Sequence, residues 1–217
     1  MRWRSPLRPW LARLKRWWFL YHLGDQRFNF MWDPPPPDEW VALDCETTGL
    51  DVQRDEIVAI AAVRIVGNTV MTSERLDLLV KPEKRRVSPE SVRVHHLREQ
   101  DVAQGMDPTA AAMQLMRFIG SRPLVGYYLE FDLAMLHRVI WPILGMGLPQ
   151  PRFEVSSMYY DYKMKRKRPH EWDVPIDLRF ATIMKDLDLP QRDAHNALND
   201  AVMAALAFVK LMHLQGH

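Results

Sequence analysis

Two carboxylates stand one residue apart in Val41-Ala42-Leu43-Asp44-Cys45-Glu46-Thr47-Thr48-Gly49-Leu50. Side chains alternate faces along a strand, so Asp44 and Glu46 share a face while Cys45 takes the other. The apolar run Val41-Ala42-Leu43 reads as a buried strand, and Gly49 supplies a turn after it. Two ionised carboxylates at a buried strand end repel each other, and burying them unpaired is costly. A hard divalent cation between them relieves both costs. The competing reading is a solvated strand end with a capping Asp and a chance Glu.

A second group with chemical potential lies near the end of the chain. Asp193-Ala194-His195-Asn196-Ala197-Leu198-Asn199-Asp200 leads into a last helix that runs to about Leu214. On a helix, residues five apart are ~140° apart, so His195 and Asp200 reach one site if His195 sits at the helix mouth. A lone histidine at a helix start is otherwise a cap or a core residue. Asp132 follows Phe131 at the start of a helix expected over Phe131–Trp141, broken by Pro142, Gly145 and Gly147.

The elements between these groups form a mixed sheet with helices. Glu56–Val66 and Thr69–Val80 read as a hairpin about Gly67-Asn68. Ser88 and Pro89 open a short helix as N-cap and first residue. The adjacent His95 and His96 suit a structural or substrate-edge role better than metal ligation, since neighbours on a helix do not converge. Asp107-Pro108 opens a helix to about Ile119, with the apolar stripe Ala111, Leu115, Phe118, Ile119 and a stop at Gly120. Pro123–Tyr127 is a short buried strand. Residues 142–176 carry the weakest periodicity. Within them, Lys163-Met164-Lys165-Arg166-Lys167-Arg168 is either a solvated loop or a phosphate-tracking patch. Asp177–Leu187 reads as a helix, with a turn at Asp188-Leu189-Pro190.

The 217 residues suit one domain with an appendage. Residues 1–33 hold seven basic and two acidic side chains, a net of +5, which leaves the remainder at −3 against the total of +2. This leader is rich in tryptophan, and Trp10, Leu11, Leu14, Trp17, Trp18 and Tyr21 recur at near-helical spacing. It has no clean secretory signal. Four readings compete for it: a membrane-surface helix, a docking helix for a protein partner, a nucleic-acid contact, or a helix packed on the body's own surface. Asp33-Pro34-Pro35-Pro36-Pro37-Asp38 reads as a stiff spacer, so residues 34–38 link the leader to a body spanning 39–217. No run approaches the ~18 apolar residues of a membrane span. The single cysteine, Cys45, excludes an intrachain disulfide and fits a reducing, cytoplasmic setting. No zinc-spaced Cys/His cluster is present.

Together, the segment Asp44–Leu50, then Leu124-Val125-Gly126 with Phe131-Asp132, then His195 and Asp200 as H-x4-D, resemble the three motifs of the DEDD-type 3′–5′ exonucleases in their histidine variant. The resemblance covers about Trp40 to Met212 and is nearest to proofreading exonucleases of bacterial DNA polymerase. It implies an α/β, ribonuclease H-like fold, a central mixed β-sheet flanked by α-helices. It implies two ions, Mg2+ or Mn2+, on Asp44, Glu46, Asp132 and Asp200, with His195 as general base. Histidine's ordinary titration range suits that task. It implies a pocket for the 3′-terminal nucleotide at Thr47, Thr48, Gly49 and Leu50. The expected substrate is single-stranded or frayed DNA, with RNA as the alternative, in repair, replication or nucleic-acid turnover. The chain ends 17 residues after Asp200, without the long tail of a polymerase-docking subunit, so a stand-alone or differently tethered nuclease is expected. A non-catalytic partner-binding domain is the reading from another class. Two departures stand out. Tyr127-Tyr128 occupies the place of His-Asn, so the bracing asparagine is Tyr128, and both tyrosines together with Phe131 become candidate base-stacking groups. His96 stands where the family has a glycine.

Overall fold

Alternation along one strand divides the interior of this computed structural model, which describes residues 16–168, 172–193 and 195–216. Strand β1 (Glu39–Thr47) sends Val41, Leu43 and Cys45 into one core and Ala42 into another. It is central in a five-stranded sheet. β2 (Ile57–Val66) runs antiparallel beside it, with β3 (Thr69–Leu79) antiparallel on the outside. On the other side lie β4 (Leu124–Gly126), parallel to β1, and β5 (Arg152–Glu154), parallel to β4. The expected hairpin and mixed sheet are therefore present.

The first core is closed by the 3-10 helix Gln26–Trp32, by α3 (Pro108–Ile119) and by α4 (Leu129–Leu144). The second is closed by α5 (Val155–Met164), α6 (Phe180–Asp186) and α7 (Ala197–Leu214). Between β3 and α3 come α1 (Pro89–His95), capped by Ser88, and α2 (Glu99–Val102). On the buried face of α7 lie Ala197, Ala201, Ala204, Ala205 and Ala207. Opposite them, Ala61 and Ala59 pair with Asp44 and Glu46 across β1 and β2. Small side chains on both surfaces let the helix lie close to the sheet, which brings Asp200, in the first turn of α7, to the carboxylates of β1.

Four expectations need correction. First, α4, expected over Phe131–Trp141, starts at Leu129 and runs through Pro142 to Leu144. A proline in the last turn removes one backbone bond, and Gly145, left-handed with φ 69°, closes the end by donating to Trp141 O. Second, residues 142–176 contain β5 and α5, whose short alternation and low amphipathicity hid them. Third, the helix over Asp177–Leu187 begins only at Phe180, because the Asp177 carboxylate accepts from Arg179 N and Thr182 Oγ1 ahead of it. Fourth, α7 is 18 residues with mean hydropathy 1.4, long and apolar enough to cross a membrane by composition. It packs instead across β1 and β2, with half of it buried.

The leader's packing is clear where it is described. Residues 16–21 are helical, while the Trp10–Leu14 half of the expected helix lies outside the described residues. Leu23, Phe28 and Met31 are buried in the first core, so residues 23–32 pack on the body itself. Pro35–Pro37 then border an apolar groove of ≈ 590 Å³ with Trp40, Phe153 and Met212, on the far side of the sheet from the strand ends that carry the acids.

Candidate active site

Asp44, Glu46 and Asp200 each offer a carboxylate oxygen within 4.8 Å of the others, and all three are half-buried. The shared face expected of Asp44 and Glu46 is therefore real, and α7 supplies the third acid. Asp132 enters from the opposite side of β1, in the first turn of α4, and is 4% exposed. Its carboxylate accepts a hydrogen bond from the backbone of Cys45.

Burial and mutual repulsion act on all four groups. Burial first, then the charges of Asp132, Asp200 and Glu46, hold Asp44 well above the ordinary carboxylate range. Burial raises Asp132 too, against the Cys45 amide, which lowers it. Glu46 is pushed up to about 7, by burial and then by Asp200. Asp200 is raised by burial despite the nearby His195. Among the described residues no cationic side chain forms an ion pair with any of the four. Asp200 Oδ1 is buried and has no hydrogen-bond partner. An all-oxygen donor set with an orphaned carboxylate oxygen fits a hard divalent cation.

His195 is not on the last helix, which starts at Ala197 behind an Asn196 cap. It is exposed in the preceding loop, left-handed with φ 63°. The ~140° helical argument therefore does not apply. The proximity it was meant to explain has another cause: His195 N donates to Asp200 Oδ2 at 2.9 Å. His195, Asp44, Asp200, Tyr127 and Phe180 line one cavity of ≈ 290 Å³.

The turn after β1 is held from within. Thr47 Oγ1 donates to Gly49 O at 2.6 Å. Thr48 Oγ1 donates to Asp55 Oδ1 at 3.1 Å and accepts from Glu56 N at 3.0 Å. Asp51 N donates to Asp55 Oδ2 at 2.8 Å. A Cβ on Gly49 would stand 2.4 Å from that same oxygen, so a larger residue would push the Asp55 carboxylate out of its hydrogen bonds. Arg138 of α4 donates to Val52 O and Asp55 O, pinning the turn from the other side. Both threonine hydroxyls thus serve the turn, and Leu50, 85% exposed, is the side chain it presents. His95 braces it from below. Leu97 N donates to Nδ1, so the proton sits on Nε2 and is donated to Thr47 O at 3.2 Å. His96 has φ 61° as the C-cap of α1, the backbone for which glycine is the easiest residue.

The two tyrosines divide their roles. Tyr127 stacks on Phe180, with ring centroids 4.4 Å apart, and its hydroxyl donates to Leu178 O. Tyr128 is 63% exposed and left-handed, with φ 55°. Phe131 is half-buried against the first core. Sequence reasoning missed the group that holds this corner. The Glu154 carboxylate accepts from Tyr128 N and Leu129 N, at 3.1 and 2.9 Å, while also capping α5 through Ser156. The only sequence signal was an acid two residues ahead of Ser156. Gly126 permits the close approach: a Cβ there would meet Leu129 at 2.9 Å.

The basic run is largely engaged internally. Lys163 pairs with Asp186 at 2.8 Å, Arg166 lies 3.9 Å over the Tyr162 ring, and Lys167 donates to Trp172 O and Val174 O.

A family model described as Exonuclease matches residues 41–208. An epsilon-like protein of DNA polymerase III from Rhodobacter capsulatus is 30% identical over 80% of this chain, which spans 23% of that protein. A PolC-type DNA polymerase III from Thermotoga maritima is 26% identical over 81% of the chain and 12% of its own length. The epsilon subunit of Aquifex aeolicus is 23% identical, over 80% of each. The chain thus spans under a quarter of the first two relatives. E. coli Exonuclease I, solved with a dA16 oligonucleotide, shares the fold with TM-score 0.66 and 17% identity, over 82% of this chain and 41% of its own. Exonuclease X, solved with 5′ overhanging duplex DNA, shares it with TM-score 0.60 and 21% identity, over 82% and 93%. With the matched segment running from β1 into α7 and the acids in the order Asp44, Glu46, Asp132, Asp200, the chain belongs to the exonuclease family, of DEDD type and ribonuclease H-like fold.

Proposed function

We propose that this chain is a 3′–5′ exonuclease that releases nucleoside monophosphates from the 3′ ends of single-stranded or frayed DNA. The reading is carried by the clustering of Asp44, Glu46 and Asp200 within 4.8 Å, with Asp200 Oδ1 buried and without a hydrogen-bond partner. These three acids would hold divalent cations, Mg2+ or Mn2+, with Asp132 completing the set. Two such ions, when bound, stabilise charge on the attacking and leaving oxygens of a phosphodiester.

The chain's own groups do the rest. His195, exposed beside Asp200, takes a proton from the attacking water as its oxygen bonds to phosphorus. The bond from phosphorus to the 3′ oxygen of the preceding nucleotide breaks, its electron pair stays on that oxygen, and a proton from solvent makes it the 3′-hydroxyl of the shortened strand. The bond from His195 N to Asp200 fixes where the imidazole hangs. Leu50 and the backbone of Thr47–Gly49 border the terminal nucleotide, and Tyr128 offers a face on which a base stacks. The DNA complexes of Exonuclease I and Exonuclease X favour DNA over RNA. A buried free Cys45 suits a reducing cytoplasm.

The test is release of mononucleotides from a 3′-labelled oligonucleotide with Mg2+ or Mn2+, beside a matched RNA. Loss with EDTA is expected. Equal rates with and without EDTA would remove the metal from the account, and faster RNA cleavage would reassign the substrate.

A further inference from the structure

A single strand entering this site carries a phosphate at every nucleotide behind its 3′ end, and cations placed along it would hold it. The connection after β3, Lys81-Pro82-Glu83-Lys84-Arg85-Arg86, has four cations and one acid in six residues. β1 and β3 are each antiparallel to β2, so this connection leaves the sheet at the end that carries Asp44 and Glu46.

Glu56 ties it there. Its carboxylate accepts from the backbone N–H groups of Glu83, Lys84 and Arg85 at 3.4, 2.8 and 2.6 Å. Its own backbone pairs with the turn beside the acids: Thr48 N donates to Glu56 O at 2.8 Å, and Glu56 N donates to Thr48 Oγ1. One residue therefore joins the basic connection to the Thr47–Leu50 turn.

A carboxylate among basic side chains ordinarily pairs with their charges. Glu56 binds backbone amides instead. The path of the connection is thereby fixed, while Lys81, Lys84 and Arg85 stay exposed without a side-chain partner among the described residues. Arg86 has only a long contact, 3.6 Å to Glu99. Elsewhere Arg64 and Arg122 sit 2.6 Å from Glu74 and Glu39. An open groove of ≈ 280 Å³ runs along these residues between the connection and α2. The run at 163–168 is the rival cation source, but Lys163, Arg166 and Lys167 already have partners within the fold.

The geometry points to the Glu56-tethered connection as a phosphate track for the strand behind its 3′-terminal nucleotide, with Lys84 and Arg85 as its contacts. This rests on the exonuclease reading. Binding is measured by anisotropy of a 5′-labelled single-stranded oligonucleotide with EDTA present, which separates the track from catalysis. Lys84→Ala/Arg85→Ala is expected to weaken binding ~10-fold and to lower the slope of log Kd on log salt by ~1.4, the value for two phosphates of a single strand. Glu56→Gln keeps every positive charge and is expected to weaken binding ~3-fold by loosening the path. Arg75→Ala, an exposed cation within β3, is expected to bind as wild type does. An unchanged slope in the double variant, or an equal loss in Arg75→Ala, overturns the track. Absence of hydrolysis by wild type with Mg2+ would instead overturn the exonuclease reading while these binding results stand.

Discussion

The backbone amide of His195 donates to Asp200 Oδ2 at 2.9 Å, while Asp200 Oδ1 is left buried and without a partner. One oxygen of the carboxylate fixes the loop that carries the imidazole. The other is free for a cation. The imidazole and the acid proposed to bind metal are thus coupled through main chain, which separates two effects in a variant. In His195→Asn the amide is kept, and asparagine tolerates the left-handed backbone. We expect kcat to fall by ~10²–10⁴, the range for a lost general base, with Mn2+ affinity within ~3-fold of wild type. Titration calorimetry beside steady-state kinetics checks both; a parallel loss of Mn2+ binding would make His195 a ligand and not the base.

Burial and the Asp200 charge push Glu46 up to about 7 from its ordinary 4.5. The folded state then holds a proton that the unfolded chain releases. Its stabilising effect is complete below about 4.5 and is lost as pH rises through about 7. Without metal, thermal stability is expected to fall between about pH 5 and about pH 8, less so in Glu46→Gln. Mn2+ is expected to raise the midpoint more at the higher pH, where it does not compete with protons. Calorimetry at both pH values with and without EDTA measures this. A midpoint that rises with pH in EDTA contradicts the crowding of acids.

Tyr127 and Tyr128 differ in what holds them. Tyr127 lies on Phe180 and bonds Leu178 O, whereas Tyr128 is exposed. Tyr128→Ala is expected to weaken single-strand binding by ~1–3 kcal/mol with little change in stability. Tyr127→Ala is expected to cost ~3 kcal/mol of stability. Paired denaturation and binding curves distinguish them; equal destabilisation by both removes Tyr128 as a stacking group.

Asp55 orders the turn through Thr48 and Asp51. Asp55→Ala is expected to raise KM for an oligonucleotide by up to ~30-fold, as two hydrogen bonds of ~1 kcal/mol each are lost. Steady-state kinetics reads it, and an unchanged KM would detach the turn from substrate binding.

The sheet and the Asp44–Glu46 pair were legible because they rest on short-range rules, whereas Asp132 and Asp200 joined that pair only through the family resemblance. Period-two alternation put Asp44 beside Glu46. Apolar stripes and caps marked α3, and glycine with asparagine marked the hairpin. What escaped depends on contacts far apart in sequence. Glu154 holds the start of α4 from residues 25 and 26 positions away, and Arg138 reaches back to Val52. No periodicity encodes such pairs. The left-handed backbone at His195 and Tyr128 also escaped, because neither is glycine or asparagine and only tertiary contacts select that conformation.

The central claim is that Asp44, Glu46 and Asp200 gather metal for stepwise hydrolysis from the 3′ end. It is tested most directly with a 5′-labelled single-stranded oligonucleotide and Mg2+, comparing wild type with Asp200→Asn. The expected result is a ladder that shortens one nucleotide at a time in wild type, with a rate lower by ~10³-fold or more in the variant. Internal fragments without a ladder, or an undiminished ladder from Asp200→Asn, would contradict it.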